Sequence, residues 1–190
     1  MKATLLFSVC SLLAFSSPAQ SANTLMFGAN VLHSSANSFE PQAVYEQSLQ
    51  TKVGFFATRN LAIGLHLEVG INGNKTVPYG ITLFSRWYTP HQPDQVVRFF
   101  LEAGAGIADN TSNKGELLAS DQKWMRTAAY FSPGIDIYAC KAIALEVAPE
   151  YRYIGGQQQL HRLGLSAGVK FFLSESVFKK AFPHKFKSSF

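Results

Sequence analysis

Apolar side chains fall at every second position from Leu61 to Ile71, with Ile63, Leu65, Leu67 and Val69 between. Ala62, Gly64, His66, Glu68 and Gly70 alternate with them. A period of two marks a β-strand with one apolar and one polar face. The same alternation recurs between turn-forming residues along the chain. It predicts eight strands, at 24–32, 46–57, 61–71, 79–88, 96–108, 124–138, 142–154 and 161–173.

Strands of roughly 9–14 residues exceed the ~5–6 usual in soluble proteins and match tilted strands that cross a membrane. The links near 58–60, 89–95 and 139–141 read as short. Those near 33–45, 72–78, 109–123 and 155–160 read as mostly longer and richer in Ser, Asn, Gly and Gln. Short turns at one rim, long loops at the other and an even strand number suit a bacterial outer-membrane barrel.

The face opposite the apolar rows decides between water and lipid. It holds Lys52, His66, Glu68, Arg86, Arg98, Glu102, Asp136, Glu146, Glu150, Arg152, Arg162 and Lys170: six basic residues, five acidic and one histidine. Gly54, Gly64, Gly80, Gly104, Gly106, Gly134, Gly164 and Gly168 share that face. In a soluble sheet these groups would meet water. In an eight-stranded barrel they line an interior only wide enough for side chains. Near-balanced charges would pair there, because a lone buried charge costs several kcal/mol. The expected fold class is therefore all-β: an eight-stranded antiparallel up-and-down transmembrane β-barrel over 23–173. A soluble barrel or sandwich is the competing reading.

Composition moves the balance further. Charged residues are 15% of the 190 and aromatics 13%, whereas soluble domains carry about 25% charge. No run of 18 apolar residues follows the N-terminal segment, which excludes a helical membrane protein. Residues 1–22 combine Lys2, an apolar run from Ala3 to Phe15 and small residues at 19–22. That is the pattern of a secretory signal peptide. Cys10 would leave with it, so Cys140 has no intramolecular disulfide partner. Lys2 and the tail after Leu173 carry about four of the five net positive charges. The body is near neutral, which argues against a nucleic-acid surface.

The segments "KVGFFATRNLAIGLHLEVG", "FFLEAGAGI" and "YFSPGIDIYA", with the last strand, resemble the eight-stranded outer-membrane β-barrel family of Gram-negative bacteria. That group includes the transmembrane domain of OmpA and the opacity-type, porin-like surface proteins. The resemblance implies residence in the bacterial outer membrane, contact with its lipid and lipopolysaccharide, and insertion by the barrel assembly machinery. In such families a polar residue, a glycine and two spaced apolar residues on the last strand form the assembly signal. Ser166, Gly168, Phe171 and Leu173 match that spacing. The chain departs from the pattern in its tail, 174–190, which is basic and aromatic, contains Pro183 and is expected in the periplasm.

Candidate chemistry is sparse. "HSSAN", His33 to Asn37, loosely resembles a motif of lipid A deacylases, but the asparagine falls one residue late and the segment is expected in the first loop. His161 and Ser166, five apart on one strand, point to opposite faces. His66, Glu68 and Glu102 could share a face and suit a packed ion network better than a catalytic set. No metal-ligand spacing, Walker loop or dinucleotide fingerprint is present, and no cofactor is expected. Trp87, Tyr88, Trp124, Tyr151 and Tyr153 lie near strand ends, where aromatic girdles sit. The expected role is structural or surface interaction through loops such as 109–123, by a monomer that binds no nucleic acid. A narrow porin and a lipid A hydrolase are the alternatives.

Overall fold

Alternation becomes geometry in eight strands. They are β1 (Leu25–Asn37), β2 (Val44–Phe56), β3 (Leu61–Ile71), β4 (Tyr79–Tyr88), β5 (Val97–Ala108), β6 (Arg126–Cys140), β7 (Ile143–Ile154) and β8 (Leu160–Leu173). A computed structural model describes residues 24–37, 44–71, 79–90, 95–108, 126–155 and 159–174. Each strand pairs antiparallel with its sequence neighbours, and β8 returns to β1, closing the barrel.

The predicted strands match, with one large difference. β1 runs five residues past its expected end, so "HSSAN" is strand rather than loop. Polar residues on both faces of 33–35 erase the alternation there. Loop lengths also differ from expectation. The segment 89–96 is not short, and 38–43, 72–78 and 155–159 are no longer than it; 109–125 alone is long. At the tight end, Thr58 shapes the β2–β3 turn. Its hydroxyl accepts the Leu61 N–H at 3.1 Å and the Asn60 N–H at 3.3 Å, while Leu61 O accepts the Ala57 N–H at 2.9 Å.

The apolar rows have no core to enter. Leu83, Leu163 and Phe99 are 68%, 64% and 58% exposed, while Arg86, Glu102 and Asp136 are fully buried. A soluble domain is built the other way round. An apolar exterior around a closed ladder is what hydrocarbon demands, since every backbone polar group must be satisfied within the sheet.

Among the described residues the β6–β7 ladder is interrupted twice, by a register shift between Tyr138 and Cys140 next to the tight turn and by a gap at its middle. Backbone bonding alternates from side to side along a strand, and Gly155 N–H donating to Thr127 O at 2.8 Å fixes the phase. Odd-numbered residues of β7 bond to β6. The β6–β7 register runs from Phe131↔Tyr151 to Ile135↔Val147 with the pairs between them missing. The middle of that gap sets Pro133 opposite Pro149, and neither carries an N–H. The Ser132 hydroxyl fills part of the deficit by donating to Pro149 O at 2.9 Å.

Candidate functional site

The lumen is the one place where chemistry-bearing side chains converge among the described residues. Inward positions alternate with lipid-facing ones, so among the described residues every strand but β1 delivers at least one ionisable side chain to the axis, and β7 delivers three. All twelve residues of the expected luminal set are buried. The structure joins most of them into two clusters.

The larger cluster centres on Glu102 and Glu146. Glu102 accepts from Lys52 Nζ and Arg86 Nε, both at 2.5 Å, and from the Tyr130 hydroxyl at 3.0 Å. Glu146 accepts from Arg86 Nη1 at 2.6 Å and from Asn30 Nδ2, and it pairs with Lys170. Lys170 also donates to Asp136 at 3.0 Å, and Asp136 accepts from the Tyr88 hydroxyl at 2.9 Å. Two lysines, one arginine and three carboxylates thus satisfy one another. Aromatic rings close the packing: the Arg86 guanidinium lies 3.8 Å from the Phe100 centroid, and Phe56 stacks on Tyr88.

The smaller cluster is nearer the rim of the long loop. Arg152 pairs with Glu68 and, at 2.8 Å, with Glu150, which also accepts from Gln50 at 3.1 Å. Arg162 stands directly across the β7–β8 ladder from Arg152. His66 separates the clusters. It is 1% exposed, edge-on to Tyr130 at 5.1 Å, and neither ring nitrogen has a hydrogen-bond partner among the described residues. Arg98 belongs to neither cluster. It ties two turns together, donating to Thr89 O at 2.7 Å and Asn60 Oδ1 at 2.9 Å.

Interior glycines make room for this filling. A Cβ at Gly104 would collide with the Tyr130 ring, and one at Gly134 with the Phe100 ring. Each ring lies over the glycine paired with it across β5–β6.

The remaining expected positions divide by face. Trp87 and Tyr151 point outward, and Tyr153 is half-buried on the outer face. Tyr88 does not join that girdle. It follows Trp87 directly, so it turns inward and is fully buried. Trp124 lies outside the described residues. Ser166 is inward, donating to Ala148 O at 3.1 Å, and Gly168 shares its face; Phe171 and Leu173 face out. His33 and Ser35, the histidine and serine of the deacylase-like segment, share the outward face of β1, away from the luminal clusters, whereas His161 and Ser166 fall on opposite faces. His161 and Ser166 therefore cannot act together as base and nucleophile.

Sequence reasoning missed Asn30, Gln50 and Tyr130, which complete the ion clusters. Their inward parity was the available signal. It also missed Pro133 opposite Pro149, for which no signal exists without the register.

An apolar-coated closed ladder around a packed ionic interior defines an eight-stranded transmembrane β-barrel of the outer-membrane type. Similar solved structures include Neisserial surface protein A, at 18% identity and a TM-score of 0.61, covering 77% of this chain and 96% of that one. The N-terminal β-barrel domain of Pseudomonas aeruginosa OprF matches at 16% identity and a TM-score of 0.55, covering 80% and 100%. OprG of the same organism matches at 10% and 0.50, covering 82% and 97%. No protein-family model matches the chain, and no curated protein matches it. At these identities the likeness is one of fold.

Proposed function

We propose that the protein is a bacterial outer-membrane barrel whose body is a closed membrane anchor and whose long loop, 109–125, supplies its contacts at the cell surface. The observation that carries this reading is the filled lumen. The Lys52–Glu102–Arg86–Glu146–Lys170–Asp136 chain crosses the interior with every member buried. A continuous water path would have to break pairs whose separation leaves buried charges, at about 3–5 kcal/mol each. Chemistry within the barrel is therefore structural. The last strand, with Ser166, Gly168, Phe171 and Leu173, is the segment the assembly machinery would read. The tail after Ser174 would lie in the periplasm.

Two measurements on the full chain test the proposal. Protease added to intact cells cuts within 109–125, and the barrel in planar bilayers shows no steady conductance. A conducting barrel would favour the pore reading. Cleavage between 174 and 190 on intact cells would reverse the orientation.

A further inference from the structure

His66 is the inward ionisable side chain that both luminal clusters leave unbonded among the described residues. The groups around it come from six strands. Lys52 of β2 and Thr82 of β4 stand directly across its two ladders. Glu68 lies two residues along β3 on the same inward face. Tyr130 of β6 meets the ring edge-on and donates its hydroxyl to Glu102 of β5. Lys52 and Arg152 of β7 lie 5.9 and 5.4 Å from the centre of that same Tyr130 ring. Arg86 of β4 is the third cation close enough to act on the imidazole, and Glu150 of β7 holds Arg152.

A neutral imidazole fits this place and an imidazolium does not. A proton taken from water onto its free ring nitrogen leaves two N–H donors that need acceptors. Every carboxylate around it is already engaged. Glu102 accepts from Lys52, Arg86 and Tyr130 together. Glu68 is held by Arg152, and Arg152 has a second carboxylate in Glu150. Glu68 is therefore the acceptor that costs least to capture. Arg152 then keeps only Glu150 while it faces Arg162 across β7–β8.

We propose that His66 is an acid-operated latch: when protonated it takes Glu68 from Arg152 and opens the long-loop half of the lumen to water, while the other half stays shut. The two halves are built for different responses. At the long-loop end the inward positions include Ser34, Ser48, Gly70, Gly80, Ala108 and Ala128. These small side chains leave the long arginine stem free to carry its charge toward the rim. At the short-turn end Met26, Phe56, Tyr88, Phe100 and Phe172 pack into one buried cluster. No ion pair holds those rings to one another, so acid gives them no reason to part. The barrel thus gains water from one end without becoming a pore, whichever side of the membrane the long loop faces.

The test is hydroxyl-radical footprinting of the protein in phosphatidylcholine nanodiscs, read by mass spectrometry. It compares about pH 7.5 with about pH 5, on either side of the ordinary histidine range. Acid should raise the oxidation of Tyr130 severalfold and leave Phe100 and Phe172 protected. His66→Phe keeps the ring and removes two buried unpaired nitrogens, so the barrel folds, which heat-modifiable gel migration checks. It cannot take a proton and should show no rise; His66→Gln should behave likewise. Glu68→Gln releases Arg152 without acid and should show the raised Tyr130 oxidation at both pH values. Wild type that stays protected at the lower pH overturns the latch. An equal rise in His66→Phe or His66→Gln also overturns it, by placing the trigger on the carboxylates. So does a rise at Phe100 and Phe172 as large as that at Tyr130, since the whole barrel would then be loosening.

Discussion

The β1–β8 and β6–β7 seams are built from the same ladder and tolerate different things. β1–β8 pairs without interruption from Leu25↔Leu173 to Asn37↔His161. β6–β7 loses its middle at Pro133 and Pro149. The difference follows the covalent chain. Residues 141–142 join β6 to β7 directly, so that hairpin closes at small entropic cost and stays closed with bonds missing. β1 and β8 lie at opposite ends of the barrel's sequence and are held to each other by the ladder alone. A defect is cheap where connectivity holds the strands and dangerous where it does not.

The sharpest way to break this comparison is to move the defect. Odd-numbered residues of β8 bond to β1, by the phase that sets Ser166 and Phe172 toward β7. Ala29 and Val169 are therefore a bonded pair. Ala29→Pro with Val169→Pro should abolish the heat-modifiable folded band, since the groups left open in hydrocarbon have no water to turn to. A normal folded band would show that connectivity is irrelevant. Ser132→Ala comes next. It removes the donor on Pro149 O, and urea unfolding in lipid vesicles should show a loss of about 1–3 kcal/mol. Filling the gap, with Pro133→Ala and Pro149→Val, should stabilise by about 1 kcal/mol. New ladder bonds are offset in part by a freer unfolded chain. Smallest is an effect in the unmodified protein. Amides of Phe131, Ile135, Val147 and Tyr151 should exchange with deuterium faster than those of Phe27, Ala29, Ala167 and Val169. Equal rates would mean that the gap does not loosen its seam.

These seams also mark the limit of what the sequence discloses. Alternation fixes which residues share a face, so the strands and the inward charges were legible. Arg86 and Glu102 were both readable as inward, and they are opposed across β4–β5. Their partnership was not readable, because register depends on turn geometry. Lys170 and Asp136 are a harder case: they come from β8 and β6, which are not neighbours in the ladder, and meet across the lumen. Tyr88 was misplaced by reading nearness to a strand end without parity. His33 to Asn37 read as loop because polar residues on both faces carry no period.

The inside-out arrangement of side chains also bears on the chain before it folds. Apolar and polar residues are interleaved one by one, so along most of the chain after residue 22 no long greasy stretch is displayed. Beyond residues 1–22 such a polypeptide offers nothing for a helix-inserting membrane to seize. It can travel through water as an ordinary polar coil. Only strand pairing sorts the two kinds of side chain onto separate surfaces. Lipid affinity is thus created by folding, at the destination, rather than carried along the route.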